Sequence, residues 1–279
     1  MLRIAVPNKG TLSESAAAML QEAGYLTRRD PKELIVTDTR NDVEFFYLRP
    51  RDIATYVGSG ALDVGITGRD LLLDAESPAH EIDELDFGAS TFRFAGPIGR
   101  FTDLTSLSGV RVATSYDGLV SAFLAREGVE ATVVRLDGAV ESAVRLGVAD
   151  AVADVVETGR TLEKQGLEIF GPVILQSSAV LISAQPDLPG LATLRRRLQG
   201  VMVAHQYVLM DYDLPAALVD RASKITPGLE SPTVSPLRDS DWVAVRVMVP
   251  RVETNHLMDE LYALGARAIL VSSIHAARI

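Results

Sequence analysis

An internal repeat is the feature that most constrains how this chain can fold. Residues 3–10 and residues 111–118 each run from an arginine through a short apolar stretch to a glycine, with the same spacing. A stretch rich in helix-forming residues follows each copy, at residues 13–22 and 119–127. Each copy then continues through a helical pattern, a glycine and an aspartate to an apolar strand that ends in Thr-Gly. This shared order predicts two similar α/β lobes facing each other across a cleft, and chance similarity between βαβ units is the alternative.

The last strand of the second copy leads into a loop with the chemistry of a phosphate site. Residues 152–156 are mostly apolar and predict a buried parallel strand that stops at Thr158-Gly159, and residues 162–164 predict a helix start. A strand, a small-residue turn and a helix N-terminus bring unpaired backbone N–H groups to one point, where an anion is favoured. An ordinary strand-to-helix turn is the alternative. The residues that we expect to contact a phosphate or its sugar are Asp154, Thr158, Gly159, Arg160 and Thr161.

Other loops at the carboxyl ends of the predicted strands should line the same cleft, as they do in open α/β sheets. Lys9 precedes one predicted helix, and Arg49 and Arg51 lie beside the start of another, where guanidinium groups can bind phosphate oxygens in bidentate fashion. Exposed surface cations are the alternative for all three. Tyr116 could stack on a flat ligand such as a purine, or lie half-buried in its loop. Two acidic candidates complete the set: Asp70 at a predicted helix start, and Glu141, which is otherwise an ordinary first-turn carboxylate.

Composition excludes several classes of protein. The net charge of −10 argues against a nucleic-acid partner, which requires a basic stripe. The chain has no cysteine, so disulfides and thiolate metal sites are excluded, and its 4 histidines make a zinc site unexpected. No residue run predicts a signal peptide or a membrane span, so we expect a cytoplasmic protein without a membrane partner.

The pattern changes near residue 201. Strands at 203–211, 230–237, 242–249 and 268–272 and helices at 214–225 and 254–264 are predicted, with Asp213 as a helix N-cap. The order β-α-β-β-α-β is the ferredoxin-like plan, and no dense polar cluster indicates catalysis there. We therefore predict one lobe from residues 1–90 and about 184–211, a second lobe from residues 91–183, and a third domain from residues 212–279.

Longer motifs resemble one family. The run from Glu141 to Leu162 resembles the signature of the ATP phosphoribosyltransferases, and residues 6–10, 48–50 and 65–68 also look like this family. The closing domain resembles the regulatory domain of the long form. The resemblance implies a bilobal catalytic core like type II periplasmic binding proteins, followed by a ferredoxin-like, ACT-like regulatory domain. It implies a glycosyltransferase that joins N1 of ATP to ribose C1 of phosphoribosyl pyrophosphate, releasing pyrophosphate, in the first step of histidine biosynthesis.

The resemblance also implies roles and partners. Lys9 and Arg49 are expected to take part in catalysis, and Arg51 is expected to bind substrate phosphates. Asp70 and Tyr116 are expected to lie on the side of the cleft that holds adenine. The loop at 154–161 should hold the phosphoribosyl group, with Mg²⁺ bound mainly through substrate phosphates. Histidine is the implied feedback inhibitor, and the implied assemblies are a homodimer and a homohexamer. The histidine pocket would lie near Asp213, Leu229, Thr233, Met248 and Ala268.

Two rival interpretations remain. One is a bilobal small-molecule binding module without catalysis, such as a solute-binding or effector domain. The other is a phosphoribosyltransferase of the common single-domain type, which carries paired acidic residues directly before its phosphate loop. Here Val155 and Val156 follow Asp154, and two lobes are predicted.

Overall fold

A computed structural model describes residues 1–156, 160–238 and 241–278. Its strands are β1 (Leu2–Pro7), β2 (Ile35–Asp38), β3 (Val43–Leu48), β4 (Val64–Gly68), β5 (His80–Glu84), β6 (Ser90–Pro97), β7 (Arg111–Thr114), β8 (Thr132–Arg135), β9 (Ala151–Val156), β10 (Leu167–Ser177), β11 (Ala179–Ser183), β12 (Tyr207–Pro215), β13 (Thr233–Pro236), β14 (Trp242–Pro250) and β15 (Arg267–Ser273). Its α-helices are α1 (Thr11–Glu22), α2 (Pro50–Gly58), α3 (Arg69–Asp74), α4 (Asp117–Arg126), α5 (Arg160–Lys164), α6 (Leu191–Gln206), α7 (Val219–Ile225) and α8 (Thr254–Leu264).

The first sheet is built around the apolar strand β1. Its order is β2-β3-β1-β4-β11-β5, with β1 parallel to β3 and β4, and β11 antiparallel to β4 and β5. Strands β4 and β11 are buried at every position, as expected for strands covered on both faces. Helix α2 begins with Pro50, whose fixed φ suits the first helical position, and buries Ile53 and Val57 against this sheet.

The second sheet repeats the plan of the first. Its order is β8-β7-β9-β6-β10, in which β7 is parallel to β8 and β9, and β6 is antiparallel to β9 and β10. Strands β7, β8 and β9 therefore correspond to β1, β3 and β4. The predicted repeat is confirmed in the strand order, and with it the bilobal α/β core.

One side-chain contact occurs in both copies of the repeat. The backbone N–H of Arg3 donates to Asp63 Oδ2 at 2.8 Å, and that of Arg111 donates to Asp150 Oδ2 at 3.1 Å. Each arginine also forms an ion pair with the same aspartate. The aspartate that precedes the third parallel strand of each lobe thus holds the start of the first strand.

The chain crosses between the two sheets twice. It leaves the first sheet after β5, builds the whole second sheet from β6 to β10, and returns with β11. Residues 179–183 were predicted in lobe two, but they pair with β4 and β5 of lobe one. Continuous apolar character could not distinguish the two sheets, because β11 is buried in either.

The C-terminal sheet has the order β13-β14-β12-β15 and is antiparallel throughout. Helices α7 and α8 pack on one face, around Tyr212, Val247 and Leu261. This arrangement confirms the ferredoxin-like plan. Two compact units result, one from residues 1–21 and 25–192, and one that contains residues 22–24 and the chain from Thr193 onward.

Three local predictions need correction, two at the start of the C-terminal sheet and one in lobe two. Helix α6 continues to Gln206, so the strand predicted from 203 begins at Tyr207, and residues 193–211 belong to the C-terminal unit rather than to lobe one. Asp213 lies inside β12 and caps no helix, because the chain continues in the sheet to Pro215 before α7. Glu141 lies in a short 3-10 turn, Val140–Ser142, rather than in an α-helix.

No helix within the described ranges combines the length and apolar character needed to cross a membrane.

Candidate functional site

A cavity of about 250 Å³ lies between the two lobes of the first unit. Lobe one contributes Lys9, Thr11 and Asp70 to its wall, and lobe two contributes Tyr116 and Val155. Lys9, Asp70 and Tyr116, which the sequence singled out, therefore line one cavity although they come from three loops and two lobes. The carboxyl ends of β1, β4, β7 and β9 all supply these loops, as expected for a ligand site in parallel α/β sheets.

The lobe-one wall has the features of an anion site. Gly10 adopts φ 79°, a left-handed conformation that lets the chain turn from β1 into α1. The first residues of this twelve-residue helix line the cavity, so unpaired N–H groups and the helix dipole face it. Lys9 is exposed, and it forms no ion pair with any residue in the described parts of the chain. Its charge is available to a ligand.

Asp70 is a buried carboxylate at the start of α3, with 7% of its surface exposed. Ser177 Oγ donates to Asp70 Oδ1 at 2.9 Å and accepts from the Asp70 backbone N–H at 3.1 Å. Gly68 provides the space for this arrangement, because a Cβ there would collide with Asp70 Oδ1. The carboxylate is thus oriented by a serine at the end of β10, a strand of lobe two.

Tyr116 joins the two lobes at the cavity. Burial, then the negative charge of Asp70 and a hydrogen bond to that carboxylate, raise the pKa of Tyr116, so its hydroxyl remains a proton donor. Its ring packs edge-on against Phe92 at 5.0 Å between centroids, and the Arg51 guanidinium carbon lies 4.9 Å from its centroid. One face of the ring that was predicted to stack on a purine is therefore in contact with an arginine.

Asp154 lies near the end of β9, next to Val155 of the lobe-two wall. Burial raises the pKa of Asp154 to about 6, opposed by a 2.8 Å hydrogen bond from the Val155 N–H and assisted by the charges of Glu141 and Asp70. Glu141 and Asp70 thus lie within electrostatic range of Asp154.

The two predicted arginines have different environments. Arg49 is exposed beside Pro50 of the cavity wall and makes no ion pair within the described ranges. Arg51 is engaged at both ends of its guanidinium, with Asp74 Oδ2 at 2.6 Å and with the backbone oxygen of Ser115 at 2.6 Å. Of the pair, Arg49 is the one whose charge is not held by a protein carboxylate.

The predicted phosphate loop is only partly described. Thr158 and Gly159 lie outside the described residues, as does Glu157. Helix α5 begins at Arg160, two residues before the predicted start, and Thr161 is exposed in its first turn. Strand β9 delivers the chain to this loop beside the cavity.

A resident metal does not fit the described part of the site. Nowhere in residues 1–156, 160–238 and 241–278 do three histidine, aspartate or glutamate side chains come close enough to hold an ion. The buried carboxylate of Asp70 is already directed to Ser177 and Tyr116. A divalent ion here would have to arrive with the phosphates of a ligand.

The residues expected around a regulatory ligand share part of one surface. Asp213 and Met248 lie on the sheet face opposite α7 and α8, because their immediate strand neighbours point into the helix-covered core. Thr233 lies on the same open face, because it pairs directly with Arg246, two residues before Met248 on β14. Ala268 has φ 50° at an irregularity in β15, and Leu229 is exposed before β13. Strand alternation explains the grouping of the first three residues.

Two contacts of the site were not predicted from the sequence: that of Ser177 with Asp70, and that of Asp74 with Arg51. Ser177 ends β10, far from Asp70 in the chain, and only the crossing strands bring them together. Asp74 follows Asp70 by one helical turn, a spacing that would have placed both on one face of α3. The shared face of Asp70 and Asp74 could have been predicted, whereas the contact of Ser177 with Asp70 depends on the tertiary fold.

Family models match most of the chain. The model described as HisG, ATP phosphoribosyltransferase, matches residues 49–200, and the model described as HisG, C-terminal domain, matches residues 204–276.

Individual relatives match over the whole length. Proteins named ATP phosphoribosyltransferase from Arthrobacter sp. (strain FB24) and Pseudarthrobacter chlorophenolicus are 68% and 69% identical, with 100% of each chain covered. The corresponding protein of Streptomyces coelicolor is 59% identical at the same coverage. Among solved structures, the ATP phosphoribosyl transferase (HisG:HisZ) complex from Thermotoga maritima aligns with a TM-score of 0.62 at 28% identity, covering 71% of this chain and 97% of that one.

Proposed function

The chain belongs to the ATP phosphoribosyltransferase family, and from that membership we propose how its interlobe cavity carries out the family's reaction. The enzyme transfers the phosphoribosyl group of phosphoribosyl pyrophosphate to N1 of ATP and releases pyrophosphate, the first step of histidine biosynthesis. The observation that carries the proposal is the shared cavity, in which Lys9, the N-terminus of α1 and Asp70 of lobe one face Tyr116 of lobe two.

The chemistry requires positioning and charge stabilisation more than it requires a base. Adenine N1 already holds a lone pair, so no proton has to be removed to create the nucleophile. The difficult tasks are bringing two polyanions together and stabilising pyrophosphate as it leaves an oxocarbenium-like ribose. Fixed cations and backbone N–H groups are suited to both tasks.

Lys9 and the N-terminus of α1 are proposed to bind the departing pyrophosphate or the phosphates of ATP. Lys9 has no competing ion pair in the described chain, and it lies next to the unpaired N–H groups of the helix. Arg49 enters the same proposal from the mouth of the cavity, where it is exposed and not held by a carboxylate. Both residues are catalytic in this scheme because they contact the leaving group.

The loop at 154–161 is proposed to hold the phosphoribosyl group. Asp154, at the end of β9, would accept hydrogen bonds from ribose hydroxyls, with Glu141 nearby, and the turn and α5 would hold the 5′-phosphate. Asp154 is mainly ionised above pH 6, because its pKa is about 6, and it is then an acceptor only. Asp70 and Tyr116 lie on the proposed adenine side.

Magnesium is proposed to enter as part of the substrate. A pyrophosphate group offers several oxygens to the ion, and the described residues offer no cluster of three ligands. Its charge would help to neutralise the leaving group, while Lys9 and α1 hold the phosphates in place.

Regulation and assembly are proposed from the family. Histidine is the proposed inhibitor, bound on the open face of the C-terminal sheet near Asp213, Thr233 and Met248, with Leu229 and Ala268 at its margin. A homodimer and a homohexamer are the proposed assemblies, and the biosynthetic role supports a cytoplasmic location.

One assay tests the reaction against the rival binding module. The protein is mixed with ATP, phosphoribosyl pyrophosphate and Mg²⁺, and formation of the adduct is followed by absorbance, with and without histidine. We expect product only when all three reactants are present, and less product with histidine. Binding of both substrates without product formation would instead support a non-catalytic bilobal module.

A further inference from the structure

We propose that Asp74 is a positioning residue, which holds the loop at 115–119 of lobe two onto lobe one and so sets the position of Tyr116 over the cavity. The contacts among Arg51, Asp74, Ser115 and Leu119 are called the interlobe clasp below. The kinetic part of this inference rests on the function proposed above, whereas its structural part does not.

Both oxygens of the Asp74 carboxylate are used. Oδ2 accepts from Arg51 at 2.6 Å within lobe one, and Oδ1 accepts from the backbone N–H of Leu119 at 3.2 Å across the lobes. The carboxylate is only 6% exposed, so these contacts lie out of bulk water, where charged hydrogen bonds are strong. Because Leu119 lies in the first turn of α4, Asp74 also supplies an acceptor to a helix N-terminus.

Arg51 supplies the second crossing contact. Its other terminal nitrogen donates to the backbone oxygen of Ser115 at 2.6 Å, and its guanidinium lies over the Tyr116 ring at 4.9 Å. Arg51 makes these contacts in the orientation in which Asp74 holds its first nitrogen. One buried carboxylate thus controls two contacts between the lobes.

The backbone approach is close enough to require glycine. A Cβ on Gly118 would lie 2.6 Å from the Asp74 carbonyl oxygen, a distance that only movement of the loop could relieve. The loop is therefore held from two sides, by the carboxylate of Asp74 and by direct contact with its backbone.

The clasp is joined to the cavity through one helix. Asp70 and Asp74 are four residues apart in α3, so both carboxylates face the same loop of lobe two. Asp70 holds the hydroxyl of Tyr116, and Asp74 holds the backbone on either side of that residue through Arg51 and Leu119. Loss of the clasp should leave the Tyr116 ring in place for only part of the time.

The first test compares kinetics of Asp74→Asn with those of Asp150→Asn. Asparagine keeps an oxygen for the Leu119 N–H but loses the charge that orients Arg51. Asp150 is the control because it also binds two arginines, yet only within lobe two. If Tyr116 is correctly placed in about one molecule in ten, the KM for ATP rises about tenfold, while that for phosphoribosyl pyrophosphate changes less than about twofold.

The second test measures the lobes directly, without activity. The chain has no cysteine, so Ser59→Cys and Ser121→Cys, both exposed and one in each lobe, accept spin labels at unique positions. Double electron–electron resonance should give one narrow distance distribution in the parent pair and a broader one with Asp74→Asn. Gly118→Ala is a second variant, which disturbs the same contact without changing charge and should also broaden the distribution.

Each outcome decides the proposal. An unchanged distance distribution in both variants overturns the clasp. A broadened distribution with an unchanged KM for ATP overturns the positioning role. An equal rise in the KM for both substrates in Asp74→Asn also overturns it, as does an equal rise in the KM for ATP in Asp74→Asn and Asp150→Asn. If the parent protein formed no adduct, the proposed function would fail, while the distance measurement would still test the clasp.

Discussion

Replacing Asp154 by asparagine should stabilise the folded protein at pH 8 and damage the reaction. The carboxyl has a pKa of about 6 in the folded chain against an ordinary 3.8, chiefly because burial disfavours its charged form. A raised pKa means that the folded state binds the proton more tightly than the unfolded state does. Its contribution to stability is therefore fully present below pH 3.8 and is lost as the pH rises through 6.

The magnitude follows from the two pKa values. At about 1.4 kcal/mol for each pH unit between them, ionised Asp154 lowers the free energy of unfolding by about 3 kcal/mol at pH 8. Near pH 4 the same linkage leaves a difference of less than about 1 kcal/mol. Asparagine is neutral at every pH and retains an oxygen that can accept from the Val155 N–H, so the variant should recover most of this free energy at pH 8.

Urea unfolding followed by circular dichroism at pH 8, 6 and 4 measures the difference. Asp187→Asn is the matched control, because Asp187 is exposed in a loop, and its substitution should change stability by less than about 0.5 kcal/mol. Adduct formation at pH 8 should fall roughly tenfold to a hundredfold in Asp154→Asn, since a charged hydrogen bond to the ribose is lost. A variant no more stable than the parent at pH 8, or a gain independent of pH, would refute the reasoning.

Three further substitutions test other parts of the site. Lys9→Ala should lower turnover at least about a hundredfold with an unchanged urea midpoint, whereas Lys32→Ala, at an exposed loop position, should be neutral; near-normal turnover would remove Lys9 from the leaving-group role. Gly68→Ala should cost about 1–3 kcal/mol of stability in urea unfolding and most activity, because its Cβ displaces Asp70 at a φ of −82° that alanine tolerates; unchanged stability would contradict the collision. Asp213→Asn should weaken histidine inhibition at least about tenfold, by loss of a charged contact, with uninhibited turnover preserved; full inhibition would exclude Asp213 as the group that binds the amino group of histidine.

The sequence predicted what depends on local order. The repeated spacing around Arg3 and Arg111 led to two lobes, and the structure confirms the repeat as far as the aspartate that each arginine binds. The β-α-β-β-α-β order was also enough for the C-terminal fold. Such features can be predicted because each depends on the order and spacing of elements along the chain.

The features that the sequence did not predict depend on contacts between distant segments of the chain. The sequence could not indicate whether β11 joins lobe one or lobe two, since its burial is complete in either sheet. It could not indicate that Asp74 engages Arg51, because the two residues lie on different helices; the expected contact of Arg51 with substrate phosphates stays a prediction. For the same reason Ser177 was missed as a partner of Asp70. The roles of the site residues remain predictions.

The double crossing between the sheets sets an order in which the chain can be completed during synthesis. All of lobe two, from β6 to β10, is one continuous segment, and its ends are adjacent because Ser90 pairs with Ser177. Lobe one, in contrast, has β11 between β4 and β5, and β5 has no other neighbour in the described sheet. Lobe one therefore cannot complete its sheet until the whole of lobe two has been synthesised and β11 has left the ribosome. The cleft is thus assembled by the returning strand β11, which begins two residues after Ser177, the serine that orients Asp70.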